Sequence, residues 1–203
     1  MEFLPLDYGG KRVYAGFGKR FCALWVDLLI LFPLAMACAW LQGFDKYIAF
    51  AVIIPSTVLF AMYHVYFNAR YGGTPGKLAV GIRITRPDGT PIAWKEAWLR
   101  SSVDLVFAVI SLTVGVVALS RADNSTYSAL AFAERMKFLR GLYPDWYPAT
   151  HTLAQIWTWS ELLVLLFNKR KRALHDFIAG TVVVDKYFVK QSDDPRSIWP
   201  YSA

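Results

Sequence analysis

Charge is scarce in this 203-residue chain: Asp, Glu, Lys and Arg together make up 18%, against about 25% in an ordinary soluble domain. Acids are the scarcer sign, with 15 Asp+Glu against 22 Lys+Arg and a formal net charge of +7. Cysteine is nearly absent. Two residues, Cys22 and Cys38, exclude a disulfide scaffold in a chain long enough to build a core without staples. On one helix they lie about 24 Å apart and cannot bridge each other, so they read as small apolar fillers. Internal repeats and low-complexity stretches are also missing. Enzyme signatures are missing as well: there is no Gly-x-Ser-x-Gly elbow and no Cys-x-x-Cys. Gly72 to Lys77 resembles a phosphate loop, but one residue too few separates Gly72 from Gly76-Lys77, and Leu78 replaces the required hydroxyl. His64, His151 and His175 fall in segments that cannot converge on a metal. Neither catalysis, a metal nor a cofactor is expected.

What is abundant is apolar. Hydrophobic residues make up 56% and aromatic residues 16%, which excludes intrinsic disorder. They come in blocks. Phe21 to Leu41 contains no ionisable side chain except Asp27 and the two thiols, and Tyr47 to Phe67 carries no formal charge and one histidine. Each is long enough to cross the bilayer as a helix, which takes about 20 residues. Val103 to Leu119 reaches that length with Ser101 and Ser102. Leu153 to Phe167, which carries Gln155, Ser160 and Glu161, reaches it only from about Thr150. Four spans are expected, at 21–41, 47–67, 101–119 and 150–167. A signal peptide is the rival for the first block, with Ala35-Met36-Ala37 as a cleavage site. The long polar lead-in and Asp27 argue against it.

The bases supply an independent check. Seventeen of them lie before the first block, between the second and third, or after the fourth; the other five lie in the two remaining connections. The positive-inside rule then puts both termini in the cytoplasm. The basic pI of about 9.4 becomes a topology signal, with anionic headgroups as partners and no nucleic acid.

Between the spans, Gly72-Gly73-Thr74-Pro75-Gly76 reads as a turn. Leu78 to Thr85 alternates as a strand, Ile92 with Trp94 could return as a second, and Thr181 to Val184 offers a third. Together they predict a small cytoplasmic sheet. Trp94 and Trp98, flanked by Lys95 and Arg100, predict an interfacial helix leading into the third span. In the outer connection, a helix from Thr126 to Arg140, capped by Asn124 or Ser125 and stopped by Gly141, is expected as a surface lid. The expected fold is an all-α membrane protein of one domain over 1–190. It has four transmembrane helices, a small cytoplasmic β-hairpin or sheet, an outer amphipathic helix, and a flexible tail over 191–203.

Ionisable groups at membrane depth are costly and so are functional candidates. Asp27, Glu161 and His64 are the candidates for binding a cation or proton. Arg20, Lys77, Arg100, Asp104 and Asp176 are candidates for a structural charge network. Arg20 and Asp27 share a helix face but stand about 10 Å apart along it, so each needs a partner elsewhere, Asp27 a cation and Arg20 a carboxylate or lipid phosphate. Asp104 follows Arg100 by four residues and can pair with it locally. Both readings of these acids, coupling and packing, stay open.

Three stretches resemble one family. Tyr14-Ala15-Gly16-Phe17 with Arg20, Ala23 and Asp27 resembles the opening motif of the RDD family of membrane proteins. Tyr66-Phe67, Gly73-Thr74-Pro75-Gly76-Lys77, Gly81, Asp88-Gly89 and Leu99-Arg100 resemble its middle motif. Leu174-His175-Asp176, Ala179-Gly180-Thr181 and Val183 resemble its closing one. The resemblance implies that Arg20, Asp27 and Asp176 are the arginine and two aspartates that name the family. It also implies transport, with cation/proton exchange proposed within the family, and suggests the bacterial inner membrane. All three motifs lie at the expected cytoplasmic boundary, where Asp176 could take Arg20 or Lys77. A small cation or proton is the expected solute, and a homo-oligomer could form its path. The alternative is a membrane scaffold or assembly partner whose buried charges are structural.

Overall fold

A computed structural model of the protein describes residues 3–189; the tail expected over 191–203 lies outside the described residues. The described chain is mostly helical. Its contacts gather in two compact units. The first takes the described residues of Met1–Ile30, Tyr63–Val103 and Thr158–Ala203, and the second takes Leu31–Met62 and Asp104–Trp157.

The long helices follow the apolar runs and overshoot them at the ends. They are α1 (Phe17–Leu41), α2 (Lys46–Tyr71) and α4 (Trp94–Arg121), and all three are long and apolar enough to cross a membrane. No more than 17% of the most apolar stretch of any of them is buried. Helices this apolar are expected to be buried all round or to span a membrane. A side-chain cap starts α2, where Asp45 accepts from the amides of Tyr47 and Ile48 at 2.7 and 2.8 Å. Glu96 does the same for α4 by accepting from the Ala93 amide at 2.9 Å. The expected interfacial helix at Trp94 runs straight on into the apolar stretch. A fourth long helix, α7 (Tyr147–Phe167), has 21 residues, its apolar run diluted by Gln155, Ser160 and Glu161.

In the first unit the expected sheet is present with different partners. Pro75 opens a short helix, α3 (Pro75–Ala79), where a turn was expected; proline's fixed φ and missing N–H are tolerated at the first helical position. That helix takes Leu78 and Ala79, so strand β3 is Ile82–Thr85. Trp94 belongs to α4, and Pro91 makes only an isolated bridge to Thr85. The partner of β3 is β4 (Val182–Asp185), antiparallel with Ile82 opposite Asp185 and Thr85 opposite Val182. The chain at Val13–Ala15 lies along the other side of β4, with Ala15 N donating to Val183 O at 2.9 Å and Asp185 N to Val13 O at 3.0 Å. Val13, Ile82, Val182, Val183 and Val184 are fully buried in this small core. A hairpin of β1 (Asp7–Tyr8) and β2 (Lys11–Arg12) precedes it.

In the second unit the expected outer helix is two helices, α5 (Asn124–Ala129) and α6 (Phe132–Gly141). Asp123, not Asn124 or Ser125, is the cap, accepting from Thr126 N at 2.9 Å. Asn124 instead accepts from the Lys46 amide at 3.0 Å. The break at Leu130–Ala131 has a local cause. Arg135 donates Nε to Tyr127 O at 3.1 Å and Nη2 to Leu130 O at 2.7 Å. A continuous helix would need both carbonyls for its own amides. Tyr127 and Leu139 pack with Ala49, Ala118, Leu119 and Ala122 as the core of this unit.

Candidate functional site

Six charged residues of the first unit, with His175, form two adjoining arrangements. In the first, Asp27 on α1 is buried and its carboxylate accepts three neutral donors. Tyr63 Oη reaches Oδ1 at 2.7 Å, Gly76 N reaches Oδ1 at 2.7 Å, and Thr74 Oγ1 reaches Oδ2 at 2.5 Å. Gly76 is required by close approach. A Cβ there would stand 2.7 Å from Asp27 Cγ and 2.9 Å from Asp27 N, nearer than packed atoms tolerate. The first turn of α3 therefore presses its backbone onto α1. Lys77 stands behind it, with Nζ 3.5 Å from Thr74 Oγ1. Burial, then the charge of Arg100, pushes the Lys77 amine down to about 8 against the partial counter-effect of Asp27.

The second arrangement centres on Asp176, fully buried on α8 (Leu174–Ile178). Its Oδ2 accepts from Arg20 Nη1 at 2.9 Å and from the Ala173 amide at 2.9 Å. Its Oδ1 takes Arg100 Nη1, which also donates to Thr181 Oγ1 at 2.9 Å. Arg20 sends its other nitrogen to Lys171 O at 2.5 Å. Burial alone would raise the Asp176 carboxyl; Arg100 and then Arg20 outweigh it and hold the group well below the usual carboxylate range. From Arg100 the network continues outward. Arg100 Nη2 meets His175 Nε2 at 2.5 Å, and His175 Nδ1 meets Glu161 Oε1 on α7. A guanidinium can only donate, so Nε2 must accept and the proton sits on Nδ1, facing Glu161. Burial, and then Arg100, lower the His175 pKa, which agrees with a neutral ring.

The sequence-named residues thus separate. Arg20, Arg100 and Asp176 meet directly, and Glu161 joins them through His175. Lys77 and Asp27 meet the Thr74 hydroxyl. His64 is exposed, with its ring edge-on to Tyr63 at 5.4 Å. Asp104 accepts from Trp157 Nε1 at 3.2 Å, while its expected partner Arg100 turns to Asp176; a second guanidinium bond to a fully buried carboxylate outweighs a helix-surface pair. Tyr63, His175 and Thr181 were not singled out from sequence. His175 and Thr181 lay inside the quoted motifs. Tyr63 had only its place near Tyr66-Phe67 to mark it. Among the described residues no group of three or more His, Cys, Asp or Glu could hold a metal ion.

The RDD family model matches residues 14–180. The chain belongs to the RDD family. No curated protein and no solved structure matches it. In this RDD protein the arginine and the two aspartates implied as namesakes are not one triad. Arg20 and Asp176 bond to each other, while Asp27 is held by hydroxyls and a backbone amide. RDD membership and the three apolar helices together fit a membrane protein.

Proposed function

We propose that this RDD protein is a non-enzymatic, cation- or proton-coupled transport protein, in which Glu161 rather than Asp27 is the exchanging group. The observation that carries this reading is the unequal occupation of the three acids. Both oxygens of Asp27 and both of Asp176 are taken by fixed donors. Glu161 engages only Oε1, with the ring and amide of His175. Its Oε2 has no partner among the described residues, and the side chain is 21% exposed. A proton or small cation arriving at Oε2 needs to displace nothing.

The topology that goes with this function has four spans, α7 being the fourth, and both termini in the cytoplasm. Seventeen bases against five support that orientation. The bacterial inner (cell) membrane is the proposed location, with anionic headgroups around the basic segments. Four helices enclose little beyond their own side chains, so a solute path calls for a closed homo-oligomer. The saturation of Asp27 and Asp176 supports a second reading, a membrane scaffold whose charges only hold helices together.

Proton flux in proteoliposomes under an imposed alkali-cation gradient separates the two. Glu161→Gln is expected to abolish flux, while Asp27→Asn lowers the yield of folded protein and leaves flux per folded molecule. Undiminished flux in Glu161→Gln overturns the first reading. No flux from the wild type leaves the scaffold.

A further inference from the structure

The second unit contains a cavity of about 270 Å³ that the charge network does not touch. Its walls are largely apolar: Ala39 on α1, Phe60 on α2, and Phe132 and Met136 on α6. One cation lines it. Arg135 is 8% exposed, and its guanidinium lies over the Tyr127 ring, Cζ 5.0 Å from the centroid. Nε and Nη2 are occupied by the two carbonyls at the α5–α6 break. Nη1 has no acceptor among the described residues, and no carboxylate among them pairs with Arg135. Gly43 leaves room for this nitrogen: a Cβ there would come 3.1 Å from Nη1 and 2.8 Å from Trp40 O.

A buried guanidinium without a counter-charge is costly, so the site favours an anionic ligand. The walls say which kind. A small hydrated anion would leave Phe60, Phe132 and Met136 facing water. An amphiphile places its charge on Nη1 and its chain on those side chains. Two walls belong to α1 and α2, which are apolar enough to cross a membrane, so the chain has hydrocarbon to continue into. The volume falls below that of pockets for whole drug-sized ligands, which suits one headgroup with the top of one chain. We infer that the cavity binds a phosphate-headed anionic membrane lipid, its phosphate on Arg135. The inference does not depend on the transport reading.

The test is native mass spectrometry of the full-length protein released from micelles carrying, in equal amounts, phosphatidylglycerol and a diacylglycerol with the same chains and no phosphate. The wild type is expected to retain phosphatidylglycerol with about tenfold preference or more, the scale of one charge-assisted hydrogen bond. Arg135→Gln should bring the ratio close to one. Ala39→Phe, which fills the cavity and leaves the Arg135 bonds in place, should lose the bound lipid, and it decides the matter alone if Arg135→Gln does not fold. Equal retention of the two lipids by the wild type, or a preference that survives Ala39→Phe, overturns the assignment. Displacement of phosphatidylglycerol by millimolar inorganic phosphate overturns it too, in favour of a free-anion site.

Discussion

Arg20 and Asp176 lie 156 residues apart in the chain and meet at 2.9 Å, tying the start of α1 to the closing motif. The bond shares its carboxylate with Arg100, so one acid, Asp176, is the ion-pair partner of two guanidiniums that are 11% and 6% exposed. Asp176→Asn would leave both buried and uncompensated. A loss of about 3–5 kcal/mol is expected, the range for breaking a buried pair. Arg20→Gln should cost clearly less, because Arg100 still holds the acid. Thermal unfolding of the detergent-extracted variants measures both, and equal losses would contradict the shared arrangement.

The Asp27 clamp makes a graded prediction. Tyr63→Phe removes one of three donors to a buried carboxylate, and about 1–3 kcal/mol should go with it. Gly76→Ala forces a methyl into contact with the Asp27 backbone and carboxylate and should be worse, since neither can retreat within a helix. The ranking, Gly76→Ala below Tyr63→Phe below wild type, is readable from the temperature at which each loses its monodisperse size-exclusion peak. Reversal of the first two would refute the close packing of α3 on α1.

Helix length, the β4 strand and the need of Arg20 and Asp27 for distant partners were legible in the residues, because apolar runs and helical rise depend only on local sequence. Asp176 had two cations offered to it, and the structure pairs it with one of them, Arg20. What stayed hidden was which donor wins when several compete. Arg100 had a local acid in Asp104, yet it goes to Asp176, which is buried and already shaped by the Ala173 amide and Thr181. Asp27 was expected to need a cation and instead takes two hydroxyls and an amide, an arrangement that exists only because Gly76 permits backbone contact. The break between α5 and α6 was invisible for a similar reason. It is made by the Arg135 side chain taking two main-chain carbonyls, and no propensity scale registers that.

Lys77 should titrate in the folded protein with a midpoint of about 8, far below the free amine, because desolvation and then the charge of Arg100 disfavour its protonated form. Its sign in stability follows. Between about pH 8 and the 10.4 of an unperturbed lysine the unfolded chain holds a proton that the folded protein has released, so stability rises with pH across that window. Reductive ¹³C-dimethylation followed by NMR titration reads the midpoint directly. A midpoint near that of an ordinary lysine would show that Lys77 is solvated, outside the cluster.

His175 makes the opposite end of the pH range informative. Its ring faces Arg100 from α4, Asp176 on its own helix and Glu161 from α7, and burial, then Arg100, hold its pKa below the ordinary value of 6.5. The folded protein therefore keeps the ring neutral when the unfolded chain has begun to bind a proton. Its contribution to stability is fully present above about pH 6.5 and is lost as pH falls from there toward the folded pKa. Asp176, with its own lowered pKa, adds a further loss only below about pH 4. Unfolding temperatures between pH 7.5 and 5 should decline in the wild type. The decline should be shallower in His175→Gln, whose amide can still donate to Glu161 and accept from Arg100 but cannot titrate. An identical slope in that variant would place the proton elsewhere and remove the basis for a neutral histidine linking Glu161 to the Arg100–Asp176 pair.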